Sequence, residues 1–202
     1  MDFEKGMALL PVLTLVLIVA NVLIFTITLF RGALESVEGI LLAGALAKDA
    51  VLAGEIWRPV TAMFLHASFG HLVGNVIALY ILGIACEHAY GLAKFGVLYF
   101  LAGLGGAVLS LAFATDPSVG ASGAIFGLMG AGIVFFRKYG HHFFLRDNRV
   151  GVVLLVWAAY SILTAFWEPY IDNAAHIGGL VTGAALAWLM RPVLIERMQL
   201  SN

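Results

Sequence analysis

VGASGAIFGLMG, residues 119–130, sets a hydroxyl, Ser122, among small residues at the threshold of an apolar run that continues to Phe136. The surrounding composition decides how such a run is read. The chain has 202 residues, of which 62% are hydrophobic and 11% charged, against roughly 25% charged in soluble domains. A soluble fold of this size cannot hide that much apolar surface. With a mean hydropathy of +1.00, the composition indicates a protein that crosses the membrane several times. The net charge of −1 says nothing about nucleic acid, but there is no basic arm and no nucleic-acid partner is expected. The single cysteine, Cys86, excludes an internal disulfide and leaves the redox compartment open.

Working outward from Ser122, apolar stretches long enough to span recur six times, at 8–30, 71–90, 93–115, 122–136, 150–167 and 173–190. The predicted fold is all-α: an integral membrane bundle of six transmembrane helices forming a single domain over residues 1–202. The first stretch is too long for the apolar core of a signal peptide. MDFEK before it is not basic and no cleavage site follows, so it reads as a retained helix. The long connection 31–70 mixes apolar residues with Glu35, Glu38, Lys48, Asp49 and Glu55, which suits short interfacial helices. With both termini cytoplasmic, the inner side holds Lys5, Lys94, Arg137, Lys138, Arg146, Arg149, Arg191 and Arg197. The outer side then holds only Arg31, Lys48 and Arg58, so the basic residues favour N-in, C-in. Asp116, Glu168 and Asp172 fall in the outer loops, which agrees.

In this topology the second, fourth and sixth spans all run inward from the outer face. Ser122 lies 15 positions before Arg137, and His176, in AAHIGG (174–179), lies 15 positions before Arg191. At 1.5 Å per residue both sit roughly 22 Å above a basic anchor, at one depth below the outer surface. Gly123, Gly127 and Gly130 beside the serine, and the G-x-x-x-G of Gly179 and Gly183, permit close approach of the two helices. His176, Gly179 and Gly183, at i, i+3 and i+7, share one face. Neutral imidazole is the base a serine hydroxyl needs in order to become a nucleophile, so the pair reads as a Ser-His dyad. In HASFGHLVGN (66–75), His71 and Asn75 are four apart and project together from the outer turn of the second span. With the Ser122 backbone N–H they form a candidate oxyanion hole. Asp172 and Glu168 lie toward the loop, which predicts a dyad rather than a triad.

GASGAIFGLMG around Ser122, AHIGG around His176, HASFGHLVGN ending at Asn75 and WRPVTAMFLH beginning at Trp57 and Arg58 together resemble the rhomboid family of intramembrane serine proteases. A lone G-x-S-G carries little weight; four motifs in family order carry much more. The resemblance implies a six-helix bundle that cleaves peptide bonds in or beside transmembrane segments of other membrane proteins, in a water-filled cavity and without metal or organic cofactor. It implies Ser122 as nucleophile, His176 as general base, His71 and Asn75 as oxyanion stabilisers, and a structural role for Trp57 and Arg58 in a membrane-embedded first loop. The implied partners are single-pass or other transmembrane substrates and membrane lipid. The compact form points to a prokaryotic plasma membrane. Family members often carry tyrosine four residues after the nucleophile, where this chain has Phe126, which leaves a ring stack on His176 but no phenolic hydrogen bond.

Other classes fit less well. A zinc intramembrane protease needs a motif such as H-E-x-x-H, which is missing. His71 and His176 offer a pair of haem ligands in principle, but a haem bundle leaves Ser122 unexplained. A transporter shows internal repeats and broken helices, which are not found here. Inactive rhomboid relatives lack the nucleophile or the base, and both are present. His66 reads as support for the first loop, His88, His141 and His142 as inner-interface residues, and Glu87 as a group bonded to neighbouring backbone. The fifth span, with Trp157, Phe166 and Trp167, carries none of these catalytic groups and is expected to flank the substrate entrance.

Overall fold

A computed structural model describes residues 10–114, 116–143, 145–165 and 171–200. The expectations placed on Lys5, Phe166, Trp167 and Glu168, and the start of the first span, lie outside the described residues. The described chain is helical, without a β-strand: α1 (Val12–Phe30), α2 (Val37–Leu42), α3 (Lys48–Leu52), α4 (Arg58–Thr61), α5 (Phe69–Phe113), α6 (Ser122–Tyr139), α7 (Leu145–Ala165), α8 (Asn173–Leu189) and α9 (Val193–Leu200). α1, α5 and the α8–α9 stretch are each long and apolar enough to cross a membrane. The described apolar part of α7, Arg149–Ala165, is shorter.

α5 holds two helices joined at an elbow. Gly91 has φ 75° and ψ 162°, a backbone conformation that a residue with a side chain rarely adopts. The chain doubles back there. Asn75, before the elbow, lines a cleft with Ser122, while Gly106, after it, lies against Gly123 and the Ala175 carbonyl. Between them Tyr90 donates to the Ala131 carbonyl midway along α6. The two apolar runs read at 71–90 and 93–115 are therefore the antiparallel arms of this hairpin.

α6 is the central helix, packed on α5, α7 and α8, and most of its residues are buried. Its small residues serve contact with protein rather than with lipid, which explains why it is less apolar than α1. α1 shows the opposite pattern. Thr14, Asn21 and Thr28, seven apart, are buried, while Val16, Val19 and Leu23 are exposed. Polar groups inward and apolar groups outward is the arrangement a hydrocarbon solvent requires.

Pro11 precedes α1 and offers no side-chain cap. Glu87 of α5 supplies one instead, its carboxyl oxygens accepting from Leu13 N (3.0 Å), Thr14 N (2.9 Å) and Thr14 Oγ1 (2.8 Å). Glu87 thus bonds backbone, as its position at the helix end predicts. Glu87→Ala strands these donors, and the expected loss of stability is about 2–4 kcal/mol. A lower unfolding temperature in detergent, with normal turnover by the folded fraction, checks this; an unchanged unfolding temperature would dismiss the capping role.

The connection 31–70 contains the short helices α2, α3 and α4 and is fastened by Arg58. Its guanidinium donates to the Leu41 (2.8 Å) and Ala45 (2.6 Å) carbonyls and pairs with Glu55 (2.6 Å). Trp57 is half exposed beside it. The connection also reaches the serine loop: Leu46 and Ser118 exchange both backbone hydrogen bonds at 2.9 Å, and Gly120 N donates to the Ala62 carbonyl at 2.9 Å.

Candidate active site

Ser122 is the first residue of α6. The first backbone N–H groups of a helix have no partner within it, so those of Ser122 and Gly123 are available to an incoming oxygen. Gly120, two residues earlier, has φ 125°, and a Cβ there would come within 2.8 Å of His71 Cε1 and Nε2 and 3.7 Å of Ser122 Oγ. A glycine is therefore needed at 120 both for the turn and for the room. It lets the His71 ring edge lie beside the serine hydroxyl.

His176, on the first turns of α8, places Nε2 3.0 Å from Ser122 Oγ. Two glycine contacts hold the helices at that separation. A Cβ on Gly179 would overlap the Gly123 carbonyl, and one on Gly183 the Gly127 carbonyl. Phe126, one turn after the serine, stacks on the imidazole with ring centroids 4.2 Å apart and planes at 11°. The ring is therefore held from its face by an apolar partner.

His71 and Asn75 occupy the first turns of α5, whose N-terminus is capped by Ser68 accepting from His71 N at 3.2 Å. Asn75 Nδ2 donates to the His71 carbonyl at 2.9 Å. The amide has a second hydrogen. Asn75 and Ser122 line a cleft of about 140 Å³ with Gly74, Phe126, Trp157 and Ser161. The cleft lies between the first arm of α5, α6 and α7. α7 packs chiefly on α6 and touches α5 marginally at most, so the described residues leave this side of the site open between α5 and α7.

His66, fully buried in the connection, sets its ring edge-on to His71, centroids 5.0 Å apart. Burial, with His71 alongside, pushes the His66 imidazole down to about 4, so it is neutral at physiological pH. Sequence reading placed it as loop support and did not foresee its contact with His71. Asp172 is the N-cap of α8: Oδ1 accepts from Ala175 N at 2.9 Å. Its Oδ2 is buried without a hydrogen-bond partner, and so is His176 Nδ1.

Of the residues singled out from sequence, Ser122, His176, His71 and Asn75 thus converge on one end of the bundle, from α6, α8 and α5. A family model described as Rhomboid domain matches residues 53–193. The chain is 35% identical over 90% of its length to Rhomboid protease GluP of Bacillus subtilis, of which it covers 34%. It is 32% identical over 89% of its length to Rhomboid protease AarA of Providencia stuartii, covering 73% of that protein. With RHOMBOID-like protein 6, mitochondrial, of Arabidopsis thaliana it shares 37% identity over 71% of its length, covering 46% of the relative. The chain therefore spans a third to a half of two of these relatives and most of the third. The matched region runs from the fastened connection through the elbow and the serine helix to the end of α8, and on that match the chain belongs to the rhomboid family.

Proposed function

We propose that this chain is an intramembrane serine endopeptidase. The observation that carries the reading is the 3.0 Å approach of Ser122 Oγ to His176 Nε2 on two helices whose backbones meet at glycines. Ser122 Oγ attacks the scissile carbonyl carbon as its proton passes to His176 Nε2. The oxyanion accepts from the Ser122 backbone N–H, the His71 ring and Asn75 Nδ2. Collapse breaks the C–N bond, and the imidazolium returns the proton to the leaving amine. Water, deprotonated by the same nitrogen, then hydrolyses the ester and frees Ser122.

The substrates in this reading are membrane proteins whose transmembrane segments enter sideways through the opening between α5 and α7. Crossings by α1, the two arms of α5, α6, α7 and α8 make six, with both termini cytoplasmic in a prokaryotic plasma membrane. The test is a fluorophosphonate probe on the purified chain. Labelling mapped to Ser122, and lost in His176→Ala, is the expected result. Cleavage of a transmembrane substrate by protein whose Ser122 never takes the label would reject the reading.

A further inference from the structure

When imidazole Nε2 accepts the serine proton, the ring must carry its own hydrogen on Nδ1. In this site Nδ1 of His176 is buried without a partner in the protein, on the side of the ring away from Ser122. A buried donor of that kind needs an acceptor. One turn earlier on the same helix, Asp172 has one oxygen committed to the N-cap and the other, Oδ2, buried and uncommitted. His176 N donates to the Asp172 carbonyl at 3.2 Å, so the two residues adjoin at the start of the helix. Toward the imidazole α6 presents Ser122 and the Phe126 ring. The donor on the ring and the acceptor on the carboxylate are complementary in kind and belong to residues joined by that backbone bond.

We infer that Asp172 is the positioning residue for His176: its free carboxylate oxygen accepts from the Nδ1 side, directly or through one water, so that Nε2 is held toward Ser122. The role rests on the dyad reading and replaces the unassisted dyad expected from sequence. Phe126 fixes the plane of the ring, and Asp172 fixes its rotation within that plane. As the serine proton arrives, the carboxylate lies beside the new positive charge and stabilises it. One residue thus starts the helix with Oδ1 and orients the base with Oδ2. Asn173, also at the start of α8, has a buried Oδ1 without a partner and is the competing acceptor.

Asp172→Asn tests this on the full-length chain, because asparagine caps a helix as well as aspartate but carries no charge. The expected result is a fall in kcat of at least about tenfold, with KM for a transmembrane substrate changed less than about twofold. The rate of fluorophosphonate labelling at Ser122 should fall in parallel and the unfolding temperature should hold. Asp172→Glu should recover part of the kcat, and Asn173→Ala should leave kcat and labelling near wild type. Wild-type kcat in Asp172→Asn would overturn the role, as would a lowered unfolding temperature with normal turnover per labelled molecule, which marks a cap and nothing more. A kcat loss found in Asn173→Ala and not in Asp172→Asn would also overturn it. Failure of Ser122 in the wild-type chain to take the label would remove the dyad, and this role with it, whereas a labelled and fully active Asp172→Asn removes this role alone.

Discussion

Ser122→Ala and His176→Ala are each expected to lower kcat on a transmembrane substrate by about 10⁴-fold or more, with helicity and detergent solubility unchanged. The reasoning is local. Ser122 Oγ supplies the attacking atom, and no other hydroxyl among the described residues lies within hydrogen-bonding reach of His176 Nε2. Without His176 the hydroxyl keeps its proton and is a weak nucleophile. The two groups act as one unit, so the double variant should be no slower than either single one. His176 is stacked on Phe126, and its loss leaves a space beside that ring rather than an unpaired charge, so the fold should survive. Turnover by either well-folded variant within about tenfold of wild type would remove the dyad.

The second large effect is expected at Gly179. A methyl group there overlaps the Gly123 carbonyl, and backbone cannot move aside as a flexible side chain can. Gly179→Ala must push α8 from α6 at the level of the active site. Overpacking of this kind costs about 1–3 kcal/mol, and misplacement of a catalytic group by 1 Å costs about 10²-fold in rate. Both losses should appear together, as a lower unfolding temperature and a lower kcat. Gly70→Ala is the control: its Cβ meets nothing within 4 Å, and alanine is the better helix former. Equal stability and turnover in the two variants would show that glycine contact does not set the Ser122–His176 distance.

The sequence announced the apolar runs clearly because lipid-facing residues need no alternation, and α1 and the two arms of α5 appear where those runs lie. Gly91 was harder to read as an elbow, since a single glycine among apolar residues has no signature beyond its tolerance of positive φ. The close contact of α6 and α8 was legible in Gly123, Gly127, Gly179 and Gly183, because small residues at helical spacing have few other uses in a membrane. The role proposed for Asp172 was not legible in the sequence, for a physical reason. In the sequence it lies only toward a loop; the structure shows one oxygen capping α8 and the other buried, like His176 Nδ1, without a partner. The tether between Leu46 and Ser118 was invisible, since a backbone bridge 72 positions long leaves no trace in side-chain pattern.

The clamp that Glu87 places on α1 has a consequence for how that helix is set in the bundle. Asn21 Nδ2 and Thr28 Oγ1 donate to carbonyls of their own helix, so these bonds do not tie α1 to a neighbour. Thr14 does, and Leu13 N and Thr14 N converge on the same carboxyl group. A half-turn roll of α1 would break all three bonds at one end while leaving the internal bonds of Asn21 and Thr28 intact. Hydrogen bonding thus sets the rotation of α1 at its foot, and along the remaining length buried Leu17 and Phe25 on one side and lipid-facing valine and leucine on the other favour the same setting. Helix α1 is pegged by hydrogen bonds at one end and steered along its length by packing on one side and by its solvent on the other.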